Sequence, residues 1–296
     1  MRADDLRADD HAAAIAGDRA SPTTRPGDAN VSSDCVLAFS AEPQFAPGEM
    51  ALIWRPIMER VAALSNCRIG VSHARSMGGF TDRLVSGAPD LVYATPYHLL
   101  VSHRRQGYLP LVRSGSTMLK GIVVVERDSG PRDVTALHRR TVAFPAPGAF
   151  AASLLTRRAL EEEHDITVRR DYLGNHASVY LAVVQGIALA GGGDNASFSR
   201  LPERIRARLR VVHMTEPYAP AAIAIHPRVP AEDRRRVREA LLSVAATGPA
   251  LFDAVPMPHP VSASLADYDD VVALGLAGLA HPAGGSQPGP ASGGAR

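Results

Sequence analysis

The sequence predicts an α/β protein built as a two-lobed clamp, each lobe a mostly parallel sheet flanked by helices, with two hinge crossovers between them. Three observations carry this. Short β-branched runs alternate with helix-period segments through the whole central stretch, the pattern of a sheet covered on both faces. Two strand-to-helix units fall close together, TVAFPAPGAFAAS at 141–153 and YLGNHASVYLAVVQG at 172–186. Two segments with neither pattern, near 117–121 and near 215–219, let the chain pass between lobes twice, with Pro217 and Pro220 marking the second.

The elements follow in order. Residues 36–40 read as a strand, then a turn at 43–48 and a helix through 63 (MALIWRPIMERVAA). A strand at 68–72 precedes a helix over 79–86. A strand at 90–93 runs into Thr95-Pro96, which opens a helix through 104, since proline suits the first helical position. Residues 109–113 form a strand, and the β-branched run GIVVVE at 121–126 another. The strand at 141–144 stops at Pro145, Pro147 and Gly148 and restarts as an alanine-rich helix. Strands at 209–213 and 222–226, a helix at 231–246 and a last helix at 265–279 complete the chain. One lobe takes residues 34–118 plus 216–280 and the other 119–215. Residues 1–33 and the Gly/Pro/Ser-rich end, 281–296, read as disordered.

Composition narrows the function. The chain has 296 residues, 46% of them hydrophobic, which is enough for two lobes. Lys and Arg number 32 against 30 Asp and Glu. No basic stripe with interleaved aromatics accompanies that balance, so nucleic acid is not expected as a partner. The basic run at 234–238 reads as a solvated helix face. No apolar run is long enough to span a membrane, and the chain as written shows no export signal. Two cysteines are too few for a structural zinc site, and no metal or cofactor is expected. Cys35 and Cys67 stand at the starts of two strands that can be neighbours. A disulfide is open to them in an oxidising compartment. Without an export signal, two buried reduced thiols are the expectation.

The two strand-to-helix units aim free N–H groups of helix starts at one region, where a small anion is held without a charged side chain. Ala149 and Phe150 supply such backbone donors. His176, after Gly174-Asn175, offers an imidazole donor whose charge an anion favours; the alternative is a helix-capping or surface histidine. Ser178 is a first-turn donor, while Tyr180 serves equally as core. Tyr93, Thr95 and Tyr97 surround the strand end before Pro96, and the Pro96–Tyr97 helix start offers further backbone donors. Tyr93 alone reads equally as a buried strand residue, whereas Thr95 suits an N-cap that also turns to a ligand. Gln44 or Phe45 lines the cleft or faces solvent. Lys120, at the first crossover, either balances an anion or is a solvated hinge residue. Gly191-Gly192-Gly193-Asp194 lacks the Lys-Ser/Thr of a nucleotide loop and reads as a backbone turn lining the cleft.

The ordered set FSAEP (39–43), GAPDLVYATPYHLL (87–100), LKGIVVVERDSG, VAFPAPGAFAASLL, GNHASVYLAVVQG, AGGG (190–193) and LRVVHMTEPYAPAAIAIHPRVP resembles the phosphate/phosphite/phosphonate-binding proteins of ABC importers, over residues 35–250. The resemblance implies the type II periplasmic-binding fold, capture of a phosphonate-like oxyanion between lobes, and delivery to a membrane permease. His176 matches the family's binding histidine. Two positions depart. Ala146-Pro147-Gly148-Ala149 replaces a Ser/Thr-rich turn, leaving backbone N–H groups in place of hydroxyls. Leu189 stands where aminophosphonate binders of the family carry an acid, which argues against an aminoalkyl ligand.

No GxSxG, HExxH or helix-opening GxGxxG is present, and no acid and base pair at catalytic spacing among the nearby Glu42, Asp90 and Asp194. Binding without chemistry is the simpler account, so the protein is not expected to be an enzyme. The same clamp in a sensor feeds a signalling partner such as a histidine kinase, and the residues do not separate the two. The resemblance implies a periplasmic location; with no signal peptide visible, the cytoplasm stays open.

Overall fold

A computed structural model describes residues 35–276, apart from 45, 46, 253 and 256. The segments read as disordered, 1–33 and 281–296, and Phe45 lie outside the described residues. In chain order the elements are β1 (Val36–Ala41), α1 (Pro47–Ser65), β2 (Arg68–Val71), α2 (Met77–Val85), β3 (Leu91–Ala94), α3 (Pro96–Gln106), β4 (Leu109–Ser114) and β5 (Gly121–Glu126). There follow β6 (Thr141–Phe144), a helical segment α4 over residues 150–163, β7 (Arg169–Tyr172), α5 (His176–Val184), β8 (Ala190–Asp194), α6 (Asn195–Ser199) and α7 (Glu203–Arg206). Last come β9 (Leu209–Met214), β10 (Ala222–Ile225), α8 (Ala231–Thr247), β11 (Pro260–Ser262) and α9 (Asp269–Ala273).

These strands form two sheets, ordered β11-β4-β10-β3-β1-β2 and β7-β6-β8-β5-β9. Each sheet is mixed. In the first, β1 pairs parallel with β2 and β3, while β10 runs antiparallel to β3 and β4. In the second, β6 pairs parallel with β7 and β8, while β5 runs antiparallel to β8 and β9. The reversed strands β5 and β10 are the first that the chain enters after each crossover. At the crossovers the two chain passes touch. Leu119 and Tyr218 exchange backbone hydrogen bonds at 2.8 and 2.9 Å. Beside them the Gly121 N–H donates to Thr215 Oγ1 at 2.9 Å.

The first sheet is held by aromatic packing: Trp54 of α1 sits with its ring 4.9 Å from Phe39 on β1 and 4.8 Å from Tyr93 on β3. In the second, β5 is buried on both faces, which is why it reads as an unbroken apolar run. Val123 and Val125 join Phe144 and Leu160 on one face; Ile122 and Val124 join Val179, Tyr180 and Val183 on the other.

Three sequence expectations are corrected. Gly191-Gly192-Gly193-Asp194 is not a turn but most of the buried central strand β8. The glycines are there because helices crowd it: a Cβ on Gly191 would lie 2.6 Å from Val179, and one on Gly192 would run into the Ala152 carbonyl and the Phe144 ring. Cys35 and Cys67 are not free thiols but a disulfide. Parallel pairing sets Val36 opposite Arg68, which brings the preceding cysteines to a Cα separation of 4.8 Å. The last helix is not continuous over 265–279. A 3-10 turn at Leu265–Tyr268, boxed by Ser264 and Asp267, leads into α9, and Gly275 at φ +64° follows it; residues 277–279 lie outside the described ones.

Candidate functional site

The cavity of interest, about 250 Å³, lies where the two sheets face each other beside the crossovers. Three helix starts of the second lobe reach it. Ala149–Ala152 bring the start of α4, His176 and Ala177 that of α5, and Ala196 and Ser197 that of α6. First-turn N–H groups have no carbonyl one turn back within the helix; those of Ser178, Asn195 and Ser197 are taken by Asn175, Lys120 and Asp194, which leaves His176 and Ala177 at α5 and Ala196 at α6 to meet an acceptor. The Ala149 N–H is already given to the Ala146 carbonyl at 3.1 Å, which leaves Phe150 onward as the donors of α4. Its first residues are wound as a π-helix over Phe150–Leu155. Such turns occur often at functional sites. Gly174, at φ +86°, turns the chain off β7 so that Asn175 caps α5, its Oδ1 accepting the Ser178 N–H at 2.8 Å.

The first lobe contributes Glu42, Gln44, Tyr93 and Thr95 from the ends of β1 and β3. Tyr93 is 1% exposed. Its hydroxyl has no hydrogen-bond partner among the described residues. Burial and then the Glu42 charge hold that phenol far above its ordinary range; Arg200 pulls the other way, as does Gln44, near but outside hydrogen-bonding geometry.

Two carboxylates line the cavity, and both are met from within the protein. Glu42 Oε2 accepts the Thr95 N–H at 2.8 Å and lies 3.2 Å from His98 Nδ1. The start of α3 therefore holds an internal anion. Burial pushes the Glu42 carboxyl up, but the His98 charge and hydrogen bond together with the Thr95 donors outweigh it, leaving it below the usual carboxylate range. Asp194, at the end of β8, lies 2.9 Å from His176 Nε2. It also accepts the Ser197 N–H at 2.8 Å and the Ser197 hydroxyl at 2.9 Å. Burial raises its carboxyl too; the His176 charge and these donors bring it below the usual range.

Of the eight residues expected to touch a ligand, the structure gathers Tyr93, Thr95, Ala149, Phe150 and His176 around one cavity. It does not bring the other three there. Tyr97 points between α3 and α9, beside Leu100 and Val271. The Lys120 N–H donates to Asn195 Oδ1 and its carbonyl accepts the Asn195 N–H, just beyond the β5–β8 pairing, and Ser178 uses its N–H on the Asn175 cap. Gln44 does line the cavity, as do Asp194 and Glu42, whereas Asp90 is spent on the Ala38 N–H and on Arg228. Leu189 packs against the core of the second lobe, not the cavity. The residue that sequence reasoning missed is Arg200. It lines the cavity just after α6, where its backbone N–H closes the helix on the Phe198 carbonyl; it is exposed, and its side chain makes no hydrogen bond or ion pair among the described residues. Reading the glycine run as a strand would have pointed to it, because Asp194 then caps the start of α6 and Arg200 closes its end.

The family model described as ABC transporter, phosphonate, periplasmic substrate-binding protein matches residues 39–268. The chain belongs to this family. It is a substrate-binding component of an ABC importer, and membership brings with it a small-molecule ligand and a permease partner. Solved structures share the fold. A binding protein component of an ABC phosphonate transporter from Pseudomonas aeruginosa superposes with a TM-score of 0.73 at 11% identity, covering 82% of this chain and 86% of its own. PhnD1 from Prochlorococcus marinus, in complex with methylphosphonate, gives 0.71 at 11% identity over 81% and 97%. A Xanthomonas citri protein bound to ATP gives 0.66 at 17% identity over 81% and 95%.

Proposed function

We propose that the cavity captures a small phosphonate or a related oxyanion such as phosphate or phosphite, and that it does so without chemistry. The oxyanion sits at the starts of α4, α5 and α6 with Arg200 beside it, and the substituent points at Tyr93, Glu42 and Gln44. The observation that carries this is the convergence of three helix starts on a cavity whose two carboxylates are already partnered while its guanidinium is not. A positive helix end and an unpaired cation both favour an anion. His176 contributes through the nitrogen that Asp194 does not take. Among the described residues no nucleophile with a matching base stands in the cavity: His176 is paired with Asp194, and the Ser197 hydroxyl is shared between Asp194 and Tyr180. The disulfide favours a life in an oxidising compartment.

Thermal denaturation against phosphate, phosphite, methylphosphonate and 2-aminoethylphosphonate tests the reading. A true ligand at a hundredfold its Kd adds about 2.7 kcal/mol. No stabilisation by any of the four, in a folded sample, would sink it.

A further inference from the structure

We propose a second binding site, for a divalent first-row transition metal, formed by Glu163, His164 and His213 on the second lobe and separate from the cavity. One ligand atom from each of the three lies within 4.8 Å of the others. His164 Nε2 stands 3.2 Å from His213 Nδ1, with the two rings nearly perpendicular at 88°. An ion at about 2.0–2.1 Å from each of two imidazole nitrogens, at a tetrahedral angle, sets those nitrogens about 3.3 Å apart. The two rings are therefore spaced as a bidentate pair. The Glu163 carboxylate lies 4.0 Å from His213 Nε2, the nitrogen on the other side of that ring, and, being well exposed, swings to the Nδ1 side as the third ligand. Two imidazoles and a carboxylate suit zinc and its neighbours better than calcium or magnesium, which take oxygen ligands.

The backbone places these residues together by a specific device. His213 lies on β9, the edge strand, and β9 is bulged: His213 pairs with Val123 while Val211 pairs with Val124, so Val212 is the extra residue. Cross-strand partners share a face. Val124 and Val211 belong to the face covered by α5, and Val123 to the face covered by α4. Without the bulge His213 would follow Val211 onto the α5 face. With it, His213 turns to the end of α4, where Glu163 is the last residue and His164 follows. The carbonyl end of a helix also favours a cation. None of the three residues lines the oxyanion cavity, so a failure of the metal site leaves the proposed function standing.

Zinc titrated calorimetrically into the full chain, with any affinity tag removed, tests the site. One equivalent is expected to bind. His164→Ala and His213→Ala should each weaken binding at least tenfold, and Glu163→Gln should weaken it less. Circular dichroism verifies that each variant is folded; should His213→Ala fail to fold, the exposed His164→Ala alone decides. Magnesium and calcium should neither bind nor compete. No zinc binding, or zinc binding that both histidine variants retain, overturns the proposal. Equal binding of magnesium overturns the assignment to transition metals.

Discussion

His176 Nε2 lies 2.9 Å from Asp194 Oδ2 in the wall of the cavity where the two sheets face each other. A residue at the start of α5 is thereby tied to one at the end of β8, and each offsets the other's charge. What remains to meet an anionic ligand is the set of helix starts, Arg200 and the His176 nitrogen that Asp194 does not take.

Removing half of this pair should have two separable effects. His176→Ala takes away a charge-assisted donor worth about 1.5–3 kcal/mol, so phosphonate affinity should fall by roughly one to two decades. It also strands a mostly buried carboxylate, so the ligand-free protein should lose stability at neutral pH. Adding Asp194→Asn should restore that stability but not the affinity. If urea unfolding shows His176→Ala as stable as the wild type, the pair contributes nothing and the account of the wall is wrong.

Glu42 and Asp194 set an acid limb. Both carboxyls sit lower in the folded protein than in the unfolded chain, where they titrate at about 4. Their contribution is thus complete above about pH 4–5 and is lost as pH falls through the depressed folded values. Urea midpoints should be flat from neutral pH to about 5 and drop below 4. Glu42→Gln and Asp194→Asn should each make the drop shallower. Parallel curves for wild type and both variants would contradict the depressed values.

The Tyr93 hydroxyl is buried with no hydrogen-bond partner among the described residues, which makes it a candidate donor to the ligand. Tyr93→Phe should leave the ligand-free protein as stable or slightly more stable, because an unsatisfied buried group disappears. Binding should weaken by about 0.5–1.5 kcal/mol, roughly two- to tenfold. A loss of stability with affinity unchanged would mark the hydroxyl as structural.

Leu189 no longer decides the question of an amino substituent, since it packs into the core while Glu42 and Asp194 line the cavity. Oε1 of Glu42 makes no hydrogen bond among the described residues. An ammonium on the substituent therefore has a carboxylate to meet. 2-Aminoethylphosphonate should bind about tenfold more tightly than ethylphosphonate, and Glu42→Gln should erase the difference. Equal affinities for the two compounds in the wild type would restore the expectation drawn from Leu189.

The alternation of strands and helices was legible because β-branched runs such as GIVVVE and helix starts such as Thr95-Pro96 carry their own signals. The two strand-to-helix units were legible for the same reason, and their helix starts meet at one cavity. The glycine run at β8 was not legible as a strand. It has no side chains to show a period, and its glycines answer to Val179, Phe144 and α4, which lie far away in sequence. With β8 misread, α6 and Arg200 were lost with it. Tyr97 was placed in the cleft from its nearness to Thr95, but a helix turns each successive side chain by about 100°, and the next residue faces elsewhere. The cysteine pairing followed from strand adjacency, while its redox state did not, since no local residue records the compartment.

The central claim, a small oxyanion held between the lobes against Arg200, is tested most directly by calorimetric titration of methylphosphonate, 2-aminoethylphosphonate, phosphite and phosphate into the wild type and Arg200→Ala. The Arg200 side chain is exposed and makes no hydrogen bond or ion pair among the described residues, so its truncation should leave the ligand-free melting temperature unchanged. At least one of the four should bind the wild type saturably at one per chain, and Arg200→Ala should bind it at least tenfold more weakly. Binding of equal strength in the variant, or no binding of any of the four to the folded wild type, would contradict the account.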